Sequence, residues 1–70
     1  MSKFSQRHYI VIAEVLKEQR QFIINDAVTQ DEQSIRLHDF DLLYFKIKLM
    51  FDTDNDRFNS NRFHIAVYEY

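Results

Sequence analysis

The sequence predicts a mainly all-α fold: one small three-helix domain over residues 1–70, with a long first connection. Two observations carry this. Apolar residues recur at three- and four-residue spacing in two long windows and one short one, as on the buried face of a helix. Glycine and proline are both absent, where average usage would supply about eight. The left-handed hairpin turns that depend on glycine are therefore unavailable, and Asn, Asp, Ser and Thr must make the corners.

Ser5 is the expected N-cap of the first helix, its hydroxyl facing the unpaired amides of the first turn. Phe4 and Tyr9 have the spacing of a hydrophobic staple. Tyr9, Ile12, Ala13 and Leu16 then form one stripe, widened by Val11 and Val15. This helix is expected to end near Gln21, with Phe22-Ile23-Ile24 either a last turn or a short extended piece.

The connection from Asn25 to His38 carries two conflicting signals. Thr29 with Glu32 fits a capping box, which starts a helix. Ser34 to His38 alternates like a half-buried strand. A loop or short extra helix is the expectation, with a small strand pair as the alternative.

From Asp39, a cap candidate, the pattern is plainly helical, and Asp41 falls in the first turn, where the helix dipole favours an acid. Phe40, Leu43, Tyr44, Ile47, Met50 and Phe51 form one stripe. Leu42, Phe45 and Leu49 form a second, roughly opposite. Only Lys46 and Lys48 interrupt this surface. A helix apolar on both sides is normally covered on both sides, so Leu42, Phe45 and Leu49 are the expected homodimer interface. The competing expectation is that the connection folds back as a lid, with Ile23, Ile24 and Ile35 covering the second stripe.

A corner follows. Asn55 suits the left-handed position after a helix when glycine is missing. Asn59 suits the N-cap of a last helix whose apolar face is Phe63, Ala66, Val67 and Tyr70, with Phe58 anchoring the turn.

At 70 residues with no cysteine, stability must come from packing or self-association, without disulfides or thiolate metal sites. Seven Phe and four Tyr suit both. A formal charge of −2 with interspersed signs lacks the basic footprint of an ordinary nucleic-acid binder. No apolar run has the length of a membrane span and no signal-peptide pattern opens the chain. A cytoplasmic location without membrane association is expected.

Phe51-x-x-Asp54-Asn55-x-Arg57-Phe58-x-x-x-Arg62-Phe63-x-x-Ala66 resembles the C-terminal signature of a group of very small phage and prophage-type proteins. The opening Phe4-Ser5-Gln6-Arg7-His8-Tyr9-Ile10 and the following Ile12-Ala13-Glu14-Val15-Leu16 are similar to the first helix of that group. The match covers a little over half the chain. It departs from the group's pattern at Asp56, where proline is expected, and in a longer stretch from Phe22 to Leu37. The resemblance implies a helical fold and a phage setting, which would place the protein in the host cytoplasm. It implies no mechanism.

The chemistry of the remaining motifs is weak. Asp52, Asp54 and Asp56 alternate like the start of a calcium loop. That loop requires Gly at its sixth position, an apolar eighth and Glu at its twelfth, where this chain has Arg57, Asn59 and Phe63. Helix capping, with Asp54 or Asp56 paired to Arg57 or Arg62, is the expected use of these acids. His8, His38 and His64 lack the i,i+4 partners of a helical zinc site. No nucleophile elbow or carboxylate pair marks an active site. The reading is not an enzyme, with no metal and no cofactor.

The functional expectation is an interaction protein that binds and inhibits or redirects a host protein or nucleoprotein complex. An anti-CRISPR-like role is one form of this. Asp39, Asp41, Asp52, Asp54 and Asp56 are the candidate partner-binding residues, suited to a basic groove. The alternative is a small DNA-binding regulator using the last helix, with Arg57, Arg62 and His64 near Asn59, Ser60 and Asn61. Nucleic acid is not favoured, because Phe63, Ala66 and Val67 occupy much of that helix and the neighbouring acids repel phosphate.

Overall fold

A computed structural model describes residues 3–69, which form three α-helices and no strand: α1 (Gln6–Asp26), α2 (Gln30–Asp54) and α3 (Ser60–Tyr68). The all-α expectation holds. The long first connection does not, because only residues 27–29 join α1 to α2.

The difference has a local cause at each side of that turn. Phe22-Ile23-Ile24 continues α1, and Ile23 is buried in the core, so the last turns of α1 are held by packing. Thr29 then starts α2, ten residues before the expected Asp39. Its Oγ1 accepts the Glu32 amide at 3.1 Å, and the Glu32 carboxylate reaches back to accept the Val28 amide at 3.1 Å. Asp31 and Glu32 lie in the first turn of α2, where carboxylates face the positive end of the dipole. Once nucleated, a helix adds one hydrogen bond per residue fixed, and no Gly or Pro interrupts residues 30–54. Asp39 and Asp41 are consequently interior helical residues, and the alternation at Ser34–His38 finds no strand to pair with. The lid over Leu42, Phe45 and Leu49 does not form either. Ile23 is in the core, and Ile35 is itself 65% exposed.

The short turn makes α1 and α2 an antiparallel hairpin. At its tip, Arg36 bridges to Asp26 at 3.0 Å and Gln33 donates to the Ile24 carbonyl at 3.3 Å. At its open end, Tyr9 lies beside Asn55. α3 folds back against both helices from that open end, as far as Arg20 of α1 and Phe40 of α2. The molecule is accordingly long, 44 × 18 × 17 Å, with a radius of gyration of 13.1 Å, where a compact chain of this length would have about 11 Å.

The core runs along the hairpin from Ala13, Leu16 and Ile23 of α1 to Phe40, Tyr44 and Phe51 of α2, closed by Phe58, Phe63 and Val67. The expected stripes supply most of it. Their edges do not: Val11 and Val15 remain 50% and 56% exposed on the outside of α1, and Leu43 and Met50 are 50% and 46% exposed on α2. A third helix of only nine residues is too short to reach around these flanks. Tyr70, expected on the last apolar face, lies outside the described residues.

Candidate interaction surfaces

The corner from Phe51 to Phe63 is a packing device. Phe51 is 1% exposed, and the rings of Phe4, Tyr9, Phe58 and Phe63 surround it with centroids 4.7–5.6 Å away. Such separations are those of edge-to-face aromatic pairs. Phe4 and Tyr9, the expected staple, both converge on this ring, and the Tyr9 hydroxyl donates to the Phe4 carbonyl at 3.4 Å.

The polar residues of the corner complete it. Asn55 is extended (φ −146°, ψ 113°) and not left-handed, and no non-glycine residue among those described has positive φ. Its side chain turns the chain instead: Oδ1 accepts the Arg57 amide at 3.0 Å, and Nδ2 donates to the Tyr9 hydroxyl at 3.2 Å. Asn59 caps α3 as expected, accepting the Arg62 amide at 3.0 Å. At Ser5, the expected cap of α1, the backbone amide donates to His8 Nδ1 at 2.9 Å, and the hydroxyl lies 3.3 Å from the same nitrogen.

The five acids expected at a partner surface are divided by the fold. Asp54 accepts the Lys3 amide at 3.0 and 2.8 Å and the Phe4 amide at 3.3 Å, tying the N-terminal segment to the end of α2. Asp41 accepts the Tyr68 hydroxyl at 2.6 Å. Asp39, Asp52 and Asp56 are exposed and engage no partner among the described residues. The expected pairing of Asp54 or Asp56 with Arg57 or Arg62 is absent, since the ion pairs of the described residues involve Arg36 alone. Arg57 and Arg62 instead flank a groove of ≈ 490 Å³ between α1, the corner and α3, with Tyr9, Ala13 and Phe63 in its lining.

A second polar group, not foreseen in the sequence, links all three helices. Tyr44 and His64 approach at 3.1 Å through the hydroxyl and Nδ1. His64 stacks on Tyr68 at 4.7 Å, and the Arg20 guanidinium lies 5.0 Å from the Tyr68 ring. Burial, followed by the hydrogen bond to Asp41, raises the Tyr68 hydroxyl far above its ordinary pKa. Burial alone raises Tyr44. Both phenols are thus held neutral, as hydrogen-bonding groups. The i,i+4 spacing of His64 and Tyr68 was visible in the sequence, but the register that brings Asp41 and Arg20 to them was not. His8 and His38 lie elsewhere, and no group of three metal-ligating side chains forms among the described residues.

The largest unsatisfied surface is apolar. Among the described residues, eleven large hydrophobic side chains are exposed against nine residues in the buried core. Seven of them lie on the outer sides of the two long helices. Val11, Val15 and Phe22 lie on the outside of α1, at 50–56% exposure. Ile35, Leu42, Phe45 and Leu49 lie on the outside of α2, at 65%, 50%, 58% and 64%. The second stripe predicted from sequence is therefore on the surface, and it extends one further step toward the hairpin tip. No helix among the described residues is long and apolar enough to cross a membrane.

The chain matches no family model, no curated protein and no solved structure.

Proposed function

We propose that this chain is a small phage-type interaction protein that acts by binding a host protein or nucleoprotein complex and covering its working surface. The observation that carries this reading is the excess of apolar side chains outside the core. Contiguous exposed apolar surface rimmed by charge marks association sites, and a few aromatic or aliphatic anchors supply most of the affinity of such contacts. The outer face of α1 offers Val11, Val15 and Phe22. Asp56, beyond the end of α2, adds exposed negative charge suited to a basic groove. Within this reading the target class is a host defence complex such as CRISPR interference, and the protein acts in the host cytoplasm.

The test is a phage plating assay on a host carrying an active CRISPR system, with and without the protein. Restored plating by the wild type, lost with Val15→Glu and Phe22→Glu variants of unchanged helicity, is the expected result. A tagged protein that neither restores plating nor retains any host protein in stoichiometric amount on affinity capture would remove the reading.

The rival reading, a DNA-binding regulator, draws on Arg57 and Arg62 beside the start of α3. A salt titration separates the two, because phosphate contacts weaken steeply with added salt. The interaction reading expects no duplex binding even at low salt.

A further inference from the structure

We propose that the outer face of α2 is occupied by the same face of a second copy, with the two α2 helices antiparallel and the two-fold axis passing between Leu43 and Tyr44. This deepens the interaction reading, since it rests on α2 being an association surface and names what covers it. Three features of the face argue for this occupant.

The first is spacing. Ile35, His38, Leu42, Phe45, Leu49 and Asp52 follow one another at alternating three- and four-residue steps, the seam of a helix that pairs with another helix. The core stripe of α2, around Phe40, Tyr44 and Phe51, lies on the opposite side and is buried within the chain. His38 and the four apolar members of the seam are exposed.

The second is self-complementarity under inversion. With the axis between residues 43 and 44, Leu42 faces Phe45 of the other copy, and Phe45 faces Leu42. His38 faces Leu49, and Ile35 faces Asp52. A branched side chain thus meets a ring twice at the centre, while the two polar members fall toward the ends. A parallel pairing would stack Phe45 on Phe45, His38 on His38 and Asp52 on Asp52.

The third is charge. Asp39 and Lys46 lie along one flank of the seam, and Asp41 and Lys48 along the other. An antiparallel two-fold keeps each flank facing its own counterpart. Asp39 therefore lies beside Lys46 of the second copy, and Asp41 beside Lys48, each pair occurring twice. A parallel two-fold opposes different flanks, and then only Asp41 and Lys46 are matched. Lys48 already lies over the Phe45 ring at 5.3 Å, so its ammonium borders the seam. Asp41 binds Tyr68 through Oδ1, leaving Oδ2 for the rim. Antiparallel pairing also lays the positive end of each α2 dipole beside the negative end of the other, the favourable side-by-side arrangement.

Sedimentation velocity at micromolar concentration tests the pairing, and cysteine cross-linking tests its direction, on a chain that has no native cysteine. A dimer is expected, with Phe45→Glu raising its dissociation constant by roughly thirtyfold or more at unchanged helicity. Equal mixtures of His38→Cys and Leu49→Cys should form a mixed disulfide under mild oxidation. Leu49→Cys alone should not, because the two copies of residue 49 lie about 16 Å apart along the axis, beyond the reach of a disulfide. A monomer would overturn the proposal, as would ready self-linking of Leu49→Cys or a dimer that yields no mixed disulfide. A monomer that still restores phage plating would separate this failure from failure of the functional reading.

Discussion

The Asp54 carboxylate holds the backbone of Lys3, with Oδ2 2.8 Å and Oδ1 3.0 Å from its amide. A carboxylate in the last turn of a helix faces the negative end of the dipole and is unfavourable there. Here it is offset by charge-assisted hydrogen bonds from Lys3 and Phe4, which carry the Phe4 ring onto Phe51, 5.0 Å away. Asp54→Ala leaves those amides to water and loosens the hold of the N-terminal segment on the corner. We expect a loss of about 1–3 kcal/mol, read by urea denaturation, with Asp54→Asn intermediate. A loss below the error of the measurement would show that the N-terminal clamp contributes nothing.

Phe51 is the centre of the corner, and its removal leaves four rings without their common neighbour. Phe51→Ala is expected to cost about 3–5 kcal/mol, comparable to the whole stability that a core of this size supplies. Circular dichroism should show an unfolded or concentration-dependent chain at room temperature. A variant with the wild-type melting temperature would refute the central role of this ring.

Thr29 carries the start of α2. Its replacement by Ala removes the acceptor for the Glu32 amide and should cost about 1 kcal/mol. The loss should be concentrated at the hairpin tip: amide exchange should quicken from Glu32 through Arg36 while residues near Tyr44 keep their protection. Uniform acceleration along α2 would contradict this local account.

Tyr68 makes stability sensitive to alkali. Its pKa is raised in the fold from the ordinary 10.0, first by burial and then by Asp41. A phenol whose folded pKa exceeds its unfolded one contributes stability that is complete below the unfolded value and lost as pH rises above it. Melting temperature should therefore fall above about pH 10, and Tyr68→Phe should flatten that fall. At neutral pH, the same substitution should cost about 1–2 kcal/mol for the lost bond to Asp41. An alkaline profile identical in the two proteins would show that Tyr68 is not the group responsible.

Much of the architecture was legible because it repeats at short range. The stripes through Leu16 and Tyr44, the Asn59 cap, and the placing of Phe58 in the turn each depend on residues within four positions of one another. At residues 22–38 the local pattern misleads, for a related reason. Short alternation at Ser34–His38 and the cap chemistry of Asp39 are real local preferences, but cooperative extension from Thr29 overrides both. Ile35, expected in a connection, is consequently part of α2 and of its outer face. The candidate surface itself was half legible: Leu42, Phe45 and Leu49 could be recognised as a second stripe, whereas the engagement of Asp41 and Asp54 with Tyr68 and Lys3 could not.

The amino-acid pattern alone determined that this chain is helical, that its corners are made by small polar residues in place of glycine, and that α2 is apolar on two sides. Those properties follow from backbone geometry and hydrophobic period, which act between near neighbours. Only the tertiary structure decided which apolar side chains are inside, and it buried Phe51 while leaving Phe45 at the surface. It also decided which acids are engaged within the fold and which remain on its surface. These outcomes depend on α3 stopping short of the hairpin tip, and on contacts such as Tyr9 with Asn55, whose residues are 46 positions apart. A local pattern states that a face must be covered, but the lengths and crossings of the other helices determine whether this chain covers it.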